Sequence, residues 1–451
     1  MKAGEIIKVT KGMLLSGSPG VEIDPLNIST DSRTIKRGEF FIALKGPNFD
    51  GNEFITEIFD KSAAGAMVEG RGAEGAGRNK VVIQVKDTTK ALQAIARYHR
   101  MKFRIPVIAV TGSNGKTTVK EMIWSVLSSK YEVLKSEGTK NNHIGIPQTL
   151  LKLGHKHDLC VLELGANHKT ELKNLAAIAM PAVSVITNIG PSHLEFFENL
   201  EGVYKAKIEI LASLERRRGL AILNGDDDFL LRIKNSKIRI MRFGLGEAND
   251  IKGRILSIEK DKTRFIVNEE EVFELNALGV HNVYNALAAI AVGRNFDIGF
   301  AAIKRALSGY KPARMRLDIR NINGIDIIDD SYNSNPASMK RALEVMESYP
   351  ARHRYVVSAD MLELGKGSIL FHKVIGEEVA KLNPKGLLTF GELSKHTFSR
   401  AIACGMDRAS AWHCSTKDEI AAILKMVTGK GDVVLIKGSR GMKMEEVLEK
   451  L

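Results

Sequence analysis

From residue 105 onward, short continuous apolar runs alternate with amphipathic helical stretches, and the alternation is played out twice. The first series is IPVIAV (105–110), LCVLEL (159–164), AVSVIT (182–187) and LAILN (220–224). The second is IDIID (325–329), YVVSA (355–359), GLLTF (386–390) and DVVLIKG (432–438), and a helix fits between each pair. Strands that are apolar at every position, rather than at every second one, are buried on both faces. That is the pattern of a mainly parallel sheet covered by helices. Between the two series, 239–275 reads as β-rich and irregular, and HNVYNALAAIAVG (281–293) reads as helix.

The first hundred residues are of another kind. FFIAL (40–44) and VVIQV (81–85) read as strands, KGPNFDGN (45–52) and EGRGAEGAGRNK (69–80) as loops, which together suggest a small α/β unit. A helical pattern over 90–102, with Leu92, Ile95 and Ala96 on one side, leads to Pro106. At roughly 150 residues per domain, 451 residues make about three domains. The expected division is 1–104, 105–312 and 313–451, the last an open α/β unit whose strand ends are free to hold a ligand.

Lys plus Arg number 66 against 53 Asp plus Glu, a net charge of +13. Such a balance suits nucleic acid, a membrane surface or an anionic small substrate. Aromatic residues are 6%, with no basic stripe interleaved among them, so single-strand binding is disfavoured. The densest basic run, Arg216 to Arg218, follows an apparent helix, and the charge reads mainly as a solvated surface. Cys160, Cys404 and Cys414 are an odd set without metal-ligand spacing, which argues against a disulfide framework and for a reducing compartment. The first twenty residues lack the apolar core of a signal peptide, and no run of 18 apolar residues occurs, so the expectation is a soluble, cytoplasmic protein.

TGSNGKTT (111–118) carries the strongest chemical signal, because it follows a buried strand and opens the helix VKEMIWSVLSS. In that setting the backbone of Gly112, Ser113, Asn114 and Gly115 can surround phosphate oxygens, and the helix N-terminus and Lys116 add positive charge. Thr117, followed by Thr118, would reach Mg²⁺. The loop departs from the usual phosphate-binding pattern in having Val110 where a first glycine is expected. Glu163 interrupts LCVLEL near its end, where it is either a buried carboxylate in need of a cation or a residue at an exposed strand end. His193 follows the next strand and would emerge on the same sheet edge. Lys207 shares a stripe with Val203, Ile210, Leu211 and Leu214, so it either snorkels or faces a site, whereas Lys205 lies off the stripe. Asp329 and Asp330 close a strand and point to opposite sides, so at most one of them faces a given ligand.

Taken in order, TGSNGKTT, VLELGANH, ITNIGPSHLEFF, KAKIEIL, HNVYNALAA, PARM and DDSYNSNP resemble the Mur ligase family. Within it, TKNNHIGIP (139–147) and SADMLELG (358–365) resemble the branch that adds D-alanyl-D-alanine to UDP-N-acetylmuramoyl-tripeptide. The resemblance covers essentially the whole chain. It implies a precursor-binding domain, a central ATPase-like domain and a Rossmann-like domain that closes over the nucleotide. It implies that Lys116 meets the transferred phosphate, that Thr117 and Glu163 hold one Mg²⁺, and that His193 and a carbamylated Lys207 serve a second. Asn282 and Asn285 would lie near the nucleotide, Arg314 near its γ-phosphate and Asp330 at its ribose. Asn142 would meet the precursor, and Ser32 and Arg33 lie in a segment similar to the one that binds the UDP end. ATP would activate a carboxylate as an acyl phosphate for attack by the amine of D-alanyl-D-alanine, the chain acting as a monomer without nucleic acid or membrane insertion. No residue stands out as general base for that amine.

The nearest alternatives are the branch that adds the third amino acid and folylpolyglutamate synthase. The first, where it adds diaminopimelate, usually carries Asp-Asn-Pro-Arg, which is absent; the second would not be expected to carry DSR (31–33) or so long a segment before the phosphate loop. From another class, a nucleotide-regulated module binding nucleic acid would show affinity that falls steeply with salt.

Overall fold

A computed structural model of the chain describes residues 1–70, 80–215, 218–234, 237–259 and 262–451. Residues 71–79 of the glycine-rich loop, and Arg216 and Arg217 of the basic run, lie outside them. Three main sheets organise the described residues.

The first has the order Met13–Ser16, Val81–Val85, Gly65–Glu69, Phe40–Ile42, Ile28–Ser29, parallel except for the first pair. The helix Thr88–Met101 follows it, started by the Asp87 side chain, which accepts from Lys90 N at 2.8 Å. Leu92, Ile95 and Ala96 on its buried face join Ile83 of the first sheet and Leu162 of the second in one continuous core. The first two units are therefore fastened together by apolar packing.

The second sheet has nine strands, in the order Glu271–Leu275, Thr263–Val267, Ile251–Ile258, Arg239–Gly244, Leu220–Asn224, Val183–Ile186, Val107–Thr111, Leu159–Glu163, Val133–Lys135. Seven run parallel; Thr263–Val267 and Glu271–Leu275 extend the sheet antiparallel, which accounts for the irregular β-rich stretch. Helices Lys116–Leu127 and Val280–Asn295 cover one face, where Val119, Met122 and Ile123 share a core with Ala286, Leu287 and Ile290. What matters for the site is the neighbour order. Val107–Thr111 lies between Leu159–Glu163 and Val183–Ile186, so the phosphate loop, Glu163 and the segment leading to His193 leave the sheet at one carboxyl edge.

The third sheet has the order Asp318–Ile322, Ile325–Asp330, Val433–Lys437, Arg354–Ala359, Gly386–Phe390, Ala411–Cys414, all parallel except the first hairpin. Its helix Pro336–Ser348 starts in a capping box: Asn335 Oδ1 accepts from Ser338 N (2.8 Å) and Ser338 Oγ accepts from Asn335 N (2.9 Å). All three cysteines are free, and among the described residues no helix is long and apolar enough to cross a membrane.

Candidate active site

A cleft of about 1020 Å³ opens at the shared strand edge, walled by the second and third units, with Gln93 as its lining residue from the segment 1–104. The phosphate loop forms its floor. Gly112 has φ of 144° and Gly115 has φ of 81°, both in the region that favours glycine. A Cβ on Gly112 would stand 2.0 Å from Thr187 Oγ1, a stiff β-branched side chain itself bonded to Asn114 O at 2.5 Å. Gly112→Ala is therefore expected to destabilise the fold by about 2 kcal/mol or more, through strain and overpacking together. A thermal melt checks this; an unchanged midpoint would contradict it.

Side chains of the neighbouring strand end hold the loop. Ser113 Oγ donates to Gly190 O and accepts from Gly190 N, both at 2.9 Å, and Asn188 Oδ1 accepts from Asn114 N at 3.1 Å. Lys116 Nζ donates to Gly112 O (2.9 Å) and Ser113 O (3.1 Å). Burial lowers its pKa, the nearby Glu163 carboxylate opposes that shift and Arg316 adds to it. Thr118 lines the cleft one turn-position beyond Thr117.

Glu163 is 1% exposed, so it is not a residue at an open strand end. Its Oε2 accepts from Thr117 Oγ1 at 2.7 Å and its Oε1 from Asn141 Nδ2 at 2.8 Å. Among the described residues it has no ion pair. Its hydrogen bonds come from neutral donors and Lys116 acts on it only across space, so it keeps room for a cation, and with the Thr117 hydroxyl beside it the donor set is all oxygen. Those residues fit a hard divalent cation completed by phosphate oxygens and water. Among the described residues no three His, Cys, Asp or Glu side chains form a ready-made metal cluster.

His193 begins a short helix, Leu194–Phe197, and reaches across to the third unit: its Nδ1 lies 2.5 Å from Glu363 Oε2. Burial lowers the His193 pKa and the Glu363 hydrogen bond opposes the shift. A second bond between the units runs from Asn335 Nδ2 to Asn114 Oδ1 at 2.9 Å. Lys207, on helix Leu200–Ile208, is 1% exposed, which rules out snorkelling. Its Nζ donates to Ala166 O at 3.3 Å, just behind the cleft wall, and sits 5.7 Å from the Phe197 ring centre. Burial, then repulsion from Lys116, lowers its pKa to about 7. Lys205 is exposed beside Glu201.

At the other end of the cleft, Asn285 Nδ2 donates to Asn282 Oδ1 (3.0 Å), and Asn282 Nδ2 to Leu278 O (2.8 Å). Asp330 lines the cleft and pairs with the buried Lys437, while Asp329 is 1% exposed and accepts from Ser331 Oγ at 2.5 Å. The two aspartates do point apart.

Other expected residues stand elsewhere. Arg314 is exposed and off the cleft wall; Arg316, two residues on, lines it and acts electrostatically on Lys116. Met315 and Leu317, on either side of Arg316, have φ of 63° and 52°, so this segment is not a regularly alternating strand. Ser32 is buried with its carbonyl accepting from Lys61 Nζ (2.9 Å), Arg33 is exposed and paired with Asp31 (2.7 Å), and neither lines the cleft. Asn142 lines it, with Oδ1 accepting from Ile144 N and Gly145 N at 3.1 and 2.9 Å, which starts the helix Gly145–Leu150 and leaves its amide nitrogen for a ligand. Asn141, Asn188, Asn335, Glu363, Arg316 and Lys437 were not anticipated from sequence. A buried carboxylate on a strand calls for a donor such as Asn141, but nothing local marks the pairs that cross between units.

Three domain families match in sequence order: the Mur ligase family catalytic domain over 26–100, the Mur ligase middle domain over 110–293, and the Mur ligase glutamate ligase domain over 314–440. The chain is 37% identical to the UDP-N-acetylmuramoyl-tripeptide–D-alanyl-D-alanine ligase of Bacillus subtilis, across 99% of this chain and 97% of that one. With the Escherichia coli ligase of the same name it shares 34% identity over 96% and 95%. A crystal structure of MurF from Acinetobacter baumannii superposes with a TM-score of 0.90 at 30% identity, covering 100% and 98% of the two chains. MurF ligase from Thermotoga maritima in complex with ADP gives 0.84 at 27% identity over 95% and 98%.

Proposed function

The chain belongs to the Mur ligase family, and from that premise we propose that it joins D-alanyl-D-alanine to UDP-N-acetylmuramoyl-tripeptide, using ATP, in peptidoglycan precursor synthesis. The observation that carries the chemistry is the single sheet edge where Lys116, the Thr117–Glu163 pair and the Thr187–His193 segment converge beneath the third unit. The division into 1–104, 105–312 and 313–451 assigns precursor binding, ATP with metal, and nucleotide closure to the three units.

A free carboxylate is a poor electrophile. Transfer of the γ-phosphoryl group to the tripeptide carboxylate gives an acyl phosphate and ADP; the amine then attacks the acyl carbon, and the tetrahedral intermediate expels phosphate. The loop backbone, Lys116 and Arg316 face the phosphates, Asn282 and Asn285 hold the nucleotide end, and Asp330 takes the ribose. Thr117 and Glu163 would hold one Mg²⁺, His193 and a carbamylated Lys207 a second. Ions held there would supply positive charge against the phosphates and the oxyanion. Asn142 positions the precursor near the reacting carboxylate. Ser32 and Arg33 suit its distant UDP end, which a molecule of that length would hold well away from the chemistry. We read the chain as acting as a monomer, and a reaction on UDP-linked and adenine nucleotides suits the cytoplasm.

With ATP, Mg²⁺, the UDP-tripeptide and D-alanyl-D-alanine, one ADP and one phosphate should appear per UDP-pentapeptide. ADP release that does not need the UDP-tripeptide would contradict the proposal.

A further inference from the structure

The ligation has one role without an owner. When the amine nitrogen bonds to the acyl carbon it becomes positively charged, and it must lose a proton before the intermediate can collapse to an amide instead of reverting. The imidazoles on the cleft wall are His143, His168, His193 and His281. His193 is committed through Nδ1 to Glu363. His281 stands at the nucleotide end beside Asn282. His143 lies beside Gln93, since its carbonyl accepts from Gln93 Nε2 at 3.2 Å, on the side of the precursor.

His168 is placed differently. It follows strand Leu159–Glu163 by five residues and stands two beyond Ala166, whose carbonyl holds Lys207. It lines the cleft together with Glu363 and Leu364 of the third unit, so it stands at the junction of the second and third units. Its ring packs against Phe196, with centres 4.4 Å apart. The Glu171 carboxylate fixes the local turn: Oε2 accepts from Asn167 N (2.8 Å) and His168 N (3.1 Å), and Oε1 lies 3.2 Å from His168 Nδ1. Burial pushes the Glu171 pKa up, but the backbone donors and His168 outweigh it, so the carboxylate stays ionised. An ionised acceptor at Nδ1 selects the tautomer with its proton there and its lone pair on Nε2, which has no partner among the described residues.

We propose that His168 is the general base of the second half-reaction, oriented by Glu171, taking through Nε2 the proton of the D-alanyl-D-alanine nitrogen as the C–N bond forms. The oxyanion then re-forms the carbonyl, the C–O bond to phosphate breaks with its electron pair going to phosphate, and the proton on His168 passes to solvent. This rests on the ligase reading above.

The test separates the two half-reactions. Wild type, His168→Asn and His168→Gln are given ATP, Mg²⁺ and the UDP-tripeptide, once with D-alanyl-D-alanine and once with hydroxylamine, which is unprotonated at neutral pH and traps the acyl phosphate as a hydroxamate. Asparagine retains a donor where Nδ1 stands and so keeps the Glu171 bond while removing Nε2. Ligation by both variants should fall about 100-fold. Hydroxamate formation should stay near the wild-type rate, and added imidazole should restore part of the ligation. Equal loss of both reactions in both variants, or ligation within a few-fold of wild type, would overturn the proposal. A wild-type enzyme that makes hydroxamate but no pentapeptide would refute the D-alanyl-D-alanine reading instead.

Discussion

Lys207→Ala should lose at least about 100-fold in ligation rate, the scale of removing a group that stabilises charge in a transition state. Lys205→Ala should stay within a few-fold. The two residues are neighbours on one helix, but Lys207 is 1% exposed and pointed at Ala166, while Lys205 sits in solvent. A lysine in water is neutral at pH 7 about once in a few thousand molecules, given a pKa near 10.4. Burial and the neighbouring Lys116 lower the Lys207 pKa to about 7, so its neutral form is far more abundant than that of a lysine in water, and only the neutral amine can add CO₂. Carbamylation replaces a buried cation by an anion, which the proposed second metal needs. Short carboxylic acids should therefore rescue Lys207→Ala in part, and equal losses in the two variants would refute the assignment. The pH dependence follows from the direction of the shift. Below pH 7 the amine protonates and a carbamate there would be lost, so activity should fall on that side and recover with bicarbonate. In CO₂-free buffer the unfolded chain binds more protons at this lysine than the folded one between about pH 7 and 10. That contribution makes stability rise with pH across the window.

Glu163→Gln should leave the fold nearly intact and cut activity by roughly 100-fold or more, with a higher Mg²⁺ requirement. The amide matches the carboxylate in shape and can still accept from Asn141 Nδ2 or Thr117 Oγ1, whose hydroxyl can turn to accept from the new NH₂. The stability change should therefore be about 1 kcal/mol. What disappears is the negative charge between two neutral donors, and with it the hold on a divalent ion. Mg²⁺ titration of the rate and a thermal melt separate these effects. A large loss of stability with normal Mg²⁺ dependence would make Glu163 a structural residue.

Much of this was legible because it is written locally. TGSNGKTT after an apolar strand gives its own loop, helix start and chemistry, and strands buried on both faces stand out without any knowledge of their neighbours. Glu163 and Lys207 were conspicuous as charges in apolar patterns, and their burial excludes the exposed strand end for one and snorkelling for the other. The edge strands Val133–Lys135, Asp318–Ile322 and Ala411–Cys414 escaped because they are short and partly polar, as edges exposed on one side tend to be. Arg314 was expected near the phosphates, whereas Arg316 lines the cleft; positive φ at Met315 and Leu317 makes this stretch irregular, and no apolar pattern signals that. Side-chain links between the second and third units, such as His193 with Glu363 and Asn114 with Asn335, span 170 and 221 residues, so only the assembled fold brings them together. The +13 charge has acquired particular contents: Lys116, Arg316 and Lys437 are among its inward-facing members, while Lys205 and Arg33 belong to the solvated surface.

The most direct test of the central claim is the choice of substrate pair. The purified chain, with ATP and Mg²⁺, is offered either UDP-N-acetylmuramoyl-tripeptide with D-alanyl-D-alanine or UDP-N-acetylmuramoyl-dipeptide with a single amino acid, and ADP release is followed together with the mass of the product. The account predicts turnover with the first pair and a UDP-pentapeptide product. Turnover with the second pair and none with D-alanyl-D-alanine would contradict it.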